Sequence, residues 1–287
     1  MSAIGFTVRQ CAQLALAVLL TIVVSSVARA GFDSFPASGD TTPGSIQSVV
    51  DAFRAALGNP NNGNAAGPLA GGRREINWDG GGAVVSATVG TPFTGFQNRG
   101  ATFTTPGAGF IQTPLADPSF LALNVNYQTT FSTFSPLRIF APLGSNVTDV
   151  DFSLPGSSGA VDATVSGFGA VFSDVDLENA TTIEFFDESN ASLAIFNVPP
   201  DSPNNTAPNG GLSFFGAIAN AGERIARVRI ITGNSPLGPN DQNGDNVDVV
   251  VMDDFLYDEP EAVPEPATLA LAGLGLVCLS LASRRRK

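Results

Sequence analysis

Near the end of the chain, apolar and polar side chains take turns. Ala226, Val228 and Ile230 alternate with Ile225, Arg227 and Arg229. Val249, Val251, Asp253, Phe255 and Tyr257 alternate with Asp248, Val250, Met252, Asp254 and Leu256, and Ile183 and Phe185 with Glu184 and Phe186. A period of two puts successive side chains on opposite faces of an extended strand. Short stretches of this kind recur over 73–260, separated by turn-forming clusters such as 155–159 and 199–211. No helical pattern intervenes between them, which argues against parallel βαβ units. The pattern predicts an all-β domain, an antiparallel β-sandwich of jelly-roll type.

Two other periods stand before it. In 45–57 the apolar residues Ile46, Val49, Val50, Phe53 and Leu57 recur at helical spacing, and Gly58, Asn59 and Pro60 end the run. The prediction is one short amphipathic helix that docks on the β domain, within a leader spanning 31–72 whose second half, 59–72, is a Gly/Asn/Pro/Ala linker. Residues 14–24 are an almost unbroken apolar run, preceded by Arg9 and followed by Ala28, Arg29 and Ala30. Small residues at Ala28 and Ala30 complete the pattern of a secretory signal peptide over 1–30. Export through the secretion translocon and a mature chain starting near Gly31 are expected.

Composition narrows the chemistry. The 287 residues suit one large β domain or two modest ones, and the 31 Gly and 20 Pro favour turns. Residues 31–263 hold eight Arg against 25 Asp plus Glu, a net charge of −17, and contain no Lys, His or Cys. Nucleic-acid binding, which needs clustered Lys or Arg, is therefore not expected. A His-dependent triad, a His/Cys zinc site, a Cys nucleophile and a P-loop Lys are excluded from that region. What remains is chemistry by carboxylates, hydroxyls, amides, Arg or a hard cation.

The C-terminal segment, 261–287, has three parts in order. Pro264, Glu265 and Pro266 come first, an apolar run of about 16 residues follows, which is short for a membrane span, and Arg284, Arg285, Arg286 and Lys287 end the chain. The basic end should stay cytoplasmic, with 31–263 outside. This arrangement resembles the PEP-CTERM sorting signal of Gram-negative bacteria. The resemblance implies a precursor held in the inner membrane, recognition by an exosortase near Pro264, Glu265 and Pro266, and a producer that secretes exopolysaccharide. The segments 72–80, 167–176 and 251–255 are also similar to those of secreted PEP-CTERM proteins. The last strand resembles the acidic final strand of carbohydrate-binding jelly rolls, where an Asp often ligates a structural calcium.

Several residues are candidates for a site. Asp174 and Asp176, two apart on an extended segment, would leave one face together, and calcium would neutralise them with oxygen from Glu178 or Asn179. Asp253 and Asp254 would face opposite sides of the last strand, Asp253 on the apolar side, where a charge needs an Arg, a backbone cap or calcium. The stretch 241–245 hints at a calcium loop, but an EF-hand would need Gly and Glu where Asn246 and Met252 stand. An Asx-rich turn is the better reading. Trp78 could offer a ring face to a sugar or fill the core beside a turn. Glu75, Asp79, Glu184, Asp187 and Glu188 could supply a carboxylate pair for glycoside hydrolysis, but no spacing singles one out. The expected function is a non-catalytic, exopolysaccharide-associated surface or matrix protein, with no cofactor beyond a structural calcium. The alternatives are a carbohydrate-binding module and a carboxylate-dependent extracellular hydrolase.

Overall fold

The computed structural model describes residues 31–80, 86–201, 209–241 and 246–263. The expected signal peptide with Ala28 and Ala30, and everything from Pro264 onward, lie outside the described residues. Two antiparallel sheets lie face to face. The main sheet runs in the order β1 (Phe32–Ser38), β12 (Leu212–Ala219), β9 (Gly167–Ser173), β14 (Val251–Asp258), β6 (Arg138–Leu143), β5 (Gly109–Pro114) and β3 (Ala87–Val89). Strand β2 (Arg73–Ile76) pairs with the second half of β14. The other sheet runs β11 (Ser192–Asn197), β10 (Thr182–Phe186), β13 (Arg227–Ile231), β7 (Val147–Phe152) and β4 (Ala101–Thr104). A two-stranded ribbon, β8 (Ala163–Thr164) with β15 (Glu261–Ala262), closes one end. The sandwich predicted from the alternation is the fold observed.

The core between the sheets is built of aromatic rings. Phe140, Phe168, Phe172, Phe255 and Tyr257 from the main sheet meet Phe103, Val150, Phe185, Val228 and Ile230 from the other. The outer face of the main sheet is buried as well. Helix α1 (Gln47–Leu57) lays Val50, Phe53 and Leu57 against Val171, Phe214 and Leu256. The rings of Phe120, Tyr127 and Phe131, around the short helices α2 (Pro118–Leu121) and α3 (Tyr127–Thr130), cover Ile111, Ile139 and Val251. All seven residues of β9 are therefore buried, so that strand reads as a nearly continuous apolar run. Gly169 and Gly216 face each other across β9 and β12, and the Phe53 ring fills the space above them: a Cβ on either would come within 2.8 Å of it.

Two details depart from the sequence reading. The leader contains more than a helix, because Phe32–Ser38 pairs along the whole of β12 as the edge strand of the main sheet. Pro36 is tolerated there, where a missing ladder donor can face outward. The even alternation expected along the last strand is broken. The pairing of β14 with β9 shifts between Met252 and Phe255, a β-bulge at Asp253 and Asp254. Val251 accordingly packs on the outer face while Phe255 points into the core between the sheets. Among the described residues no helix is long and apolar enough to cross a membrane.

Candidate metal centre

Strand β9 lies between β12 and β14 and runs antiparallel to both. Ser173, its last residue, stands opposite Leu212 and Val251, the first residues of its two neighbours. Whatever follows β9 therefore meets whatever precedes β12 and β14. The chain places Asp174 and Asp176 after β9, Asp201 before β12, and Asp241 and Asp248 before β14. Three of these carboxylates converge: Asp174, Asp176 and Asp201 each offer an oxygen, and the three oxygens lie within 4.8 Å of one another.

The convergence does not come from an extended run through Asp176, as the spacing had suggested. Asp174 takes a left-handed conformation, φ 70°. The turn passes the next inward position to Val175, which packs in the core between the sheets. Asp174 is completely buried and Asp176 nearly so. One oxygen of Asp174, Oδ1, accepts a 2.6 Å hydrogen bond from the Gly210 amide. Its Oδ2 is buried and has no hydrogen-bond partner among the described residues. Asp201 packs against Gly211 so closely that a Cβ there would come within 1.9 Å of Asp201 Oδ2. Glu178 and Asn179, expected as further ligands, are exposed instead, and Asn179 Oδ1 accepts a bond from Asn197 Nδ2.

Asp241 and Asp248 stand behind the three. Asp248 is completely buried and accepts from the amides of Asp176 at 3.4 Å and Leu177 at 3.3 Å. Asp241, buried at the edge of the 241–245 stretch, accepts from the amide of Val249. Crowding of this kind favours the proton over the charge. Burial first, then the charge of Asp176, pushes Asp174 up to about 9, and burial with Asp241 nearby raises Asp248 to about 7. Asp201, Asp241 and Asp248 were not picked out as ligands from the sequence. Carboxylates flanking three neighbouring strands were the available signal, but it needed the strand order.

Asp253 and Asp254 belong to a different place. The bulge lets both reach Ser135, whose hydroxyl lies 3.1 Å from Asp253 Oδ1 and 2.6 Å from Asp254 Oδ1. Asp253 Oδ2 caps the amides of Phe134 and Ser135, and Asp254 Oδ2 meets Arg54 of α1 at 3.1 Å. Burial and the neighbouring Asp254 charge raise Asp253 well above the carboxylate range. Of the partners expected for Asp253, an Arg, a backbone cap or calcium, the structure shows the cap, while both side chains reach Ser135 rather than parting to opposite sides, and the Arg54 link of Asp254 fastens α1 to the sheet.

For Trp78 the structure chooses the core over the sugar face. The residue is completely buried, stacked on Phe140 at 3.7 Å between ring centroids, with Nε1 donating to the Asp253 carbonyl at 2.9 Å. No ring face is left for a sugar. Glu75 and Asp79 are also engaged, Glu75 by Arg54 and Arg73, and Asp79 by the amides of Leu137 and Arg138. Asp187 and Glu188 line a cavity of about 580 Å³ together with Asp151, Asp162, Arg227 and Val263. There Arg227 lies 3.7 Å over the Phe186 ring and pairs with Asp149 at 2.6 Å. Burial and the Asp149 charge raise Asp151.

At the opposite end of β14 the carboxylates have cations. Glu259 holds Arg74 with both oxygens, at 2.7 and 2.6 Å, and both side chains are buried. Arg224 reaches Glu261 at 3.3 Å, and Asp258 caps the amides of Ser166 and Gly167. The fold continues to the threshold of the C-terminal segment, where the Val263 amide donates to the Asp162 carbonyl at 3.0 Å. No curated protein matches the chain. The model of the PEP-CTERM protein-sorting motif matches residues 262–287, beginning at the last residue of β15. The chain thus carries a PEP-CTERM sorting motif behind a β-sandwich and is an exported protein addressed to an exosortase.

Proposed function

We propose that the chain is the precursor of a non-catalytic surface or matrix protein associated with exopolysaccharide. The observation that carries this reading is the sorting motif at 262–287 on an acidic β-sandwich. In this reading the precursor sits in the inner membrane until an exosortase acts near Pro264, Glu265 and Pro266. The Arg284, Arg285, Arg286 and Lys287 end is then left behind. A net charge of −17 over 31–263 keeps the product soluble and suits bridging to acidic polymer through divalent cations. Calcium enters as a structural ion, at the three-carboxylate cluster rather than at Asp253 and Asp254.

A carbohydrate-binding module is the second reading, supported by the cavity beside Val263. Its carboxylates accept hydrogen bonds and suit the hydroxyls of a neutral sugar or an amino sugar. Co-sedimentation of the mature protein with the host's own exopolysaccharide separates the two. Binding that needs calcium and vanishes in chelator supports bridging. Binding that survives chelator and is lost in Asp162→Asn supports the module. No binding in either condition contradicts both. Sugar release abolished by Asp151→Asn would overturn the non-catalytic reading.

A further inference from the structure

We propose that Asp174, Asp176 and Asp201 ligate one calcium ion that staples the chain after β9 to the chain before β12. Asp241 and Asp248 act as positioning residues behind it. The inference rests on the reading of calcium as this protein's structural ion, and it assigns the ion's place and task.

The geometry fits a calcium-sized cation. Oxygens bound to one ion at 2.3–2.6 Å stand at most about 5 Å apart, and the three carboxylates already lie within 4.8 Å of one another. All the donors are hard oxygens, which suit calcium and not a soft metal. Asp174 supplies the independent sign of a missing partner, because its Oδ2 is buried without a hydrogen bond among the described residues. A buried carboxylate oxygen left in that state is costly unless a proton or a cation meets it.

Among the described residues the arginines are engaged elsewhere, and none acts on Asp174. Residues 31–263 contain eight Arg and no Lys or His. Arg54, Arg73, Arg74, Arg224, Arg227 and Arg229 are paired with other carboxylates. Arg99 and Arg138 donate to the carbonyls of Glu75 and Trp78. Asp248 fixes the backbone of Asp176 and Leu177 through its two oxygens, which orients Asp176 toward the cluster. Gly211 leaves room for the Asp201 carboxylate, so a side chain at that position would displace a ligand. An exported protein meets calcium at the concentrations that extracellular sites use, with dissociation constants of roughly 0.1–1 mM.

The experiment is a calcium chloride titration of the metal-free exported protein, followed by calorimetry and by thermal melting. The wild type should bind one calcium and melt at a higher temperature with it. Asp176→Asn and Asp201→Asn, each nearly isosteric, should weaken binding at least tenfold and abolish the melting shift. Their metal-free melting should stay cooperative. Asp248→Asn should weaken binding less, and Glu188→Gln, in the distant cavity, should leave it within about twofold. A wild type that neither binds calcium nor shifts would sink both the site and the structural-calcium reading. A wild-type shift retained in full by Asp176→Asn and Asp201→Asn would overturn this site and leave calcium to be placed elsewhere.

Discussion

The two ends of the main sheet handle the same residue type in opposite ways. Where β14 finishes, Glu259 and Glu261 are matched by Arg74 and Arg224. Where β14 begins and β9 finishes, Asp174, Asp176, Asp201, Asp241 and Asp248 gather, and no described arginine acts on Asp174 or Asp248. At the first end neutrality is written into the chain. At the second, the buried Oδ2 of Asp174 is left, among the described residues, to a proton or a metal ion. The difference teaches that burial of an acid is informative only together with its counter-charge. Arg74–Glu259 marks a structural clamp. The crowded carboxylates around the buried Asp174 Oδ2 mark a place for a ligand.

The sharpest way to break the comparison is to remove the internal cation. Arg74→Met would leave Glu259 buried with, among the described residues, Asn62 and the Leu69 amide as donors. We expect a loss of about 3–5 kcal/mol in denaturant unfolding. A loss below 1 kcal/mol would mean that the clamp is no tighter than a surface pair.

The pH dependence probes the other end. In chelator, the folded protein holds protons on Asp174 up to about pH 9 and on Asp248 up to about 7, while the unfolded chain releases them near 3.8. Raising the pH from 5 to 8 therefore disfavours the fold, since the native state binds more protons than the unfolded one. The expected fall is on the order of 6 kcal/mol, about 4 from Asp174 and about 2–3 from Asp248, and calcium should flatten it because the ion takes the place of the protons. Stability that rises over this range in chelator would contradict the crowding of these carboxyls.

Asp174→Asn should have little effect without calcium. It keeps an oxygen for the Gly210 amide and removes a charge from the crowd, so stability in chelator should stay within about 1 kcal/mol of wild type or rise. The same change should erase the calcium-induced rise in melting temperature. Equal destabilisation with and without calcium would make Asp174 a purely structural residue. The smallest effect is expected for Arg224→Ala. Its partner Glu261 is 68% exposed, and such pairs contribute about 0–1 kcal/mol.

How much could be read from the sequence follows the same physics. Helix α1 was legible because Val50, Phe53 and Leu57 bury one stripe and leave the opposite face polar. Strands β10, β13 and β14 were legible where one side faces the core between the sheets. Strand β1, with Pro36 at an edge, carried no such signal. The bulge at Asp253 was invisible, since an alternating pattern looks the same on paper whether or not the backbone slips by one. Asp174 and Asp176 could be singled out as neighbours in sequence. Asp201 joins them only because β12 and β9 are paired, and Asp248 only because β14 flanks β9 on the other side. Trp78 could be read as a core ring beside a turn, but its aromatic cage, Phe96, Phe103, Phe140 and Phe255, comes from four separate segments that the sequence does not join.

The most direct test is a crystal of the exported protein grown in calcium and measured for anomalous scattering. The account predicts one peak within bonding distance of Asp174, Asp176 and Asp201 and none at Asp253, Asp254 or Glu259. A cluster with no peak at saturating calcium, or a peak lying at the Asp253–Asp254 bulge instead, would contradict it.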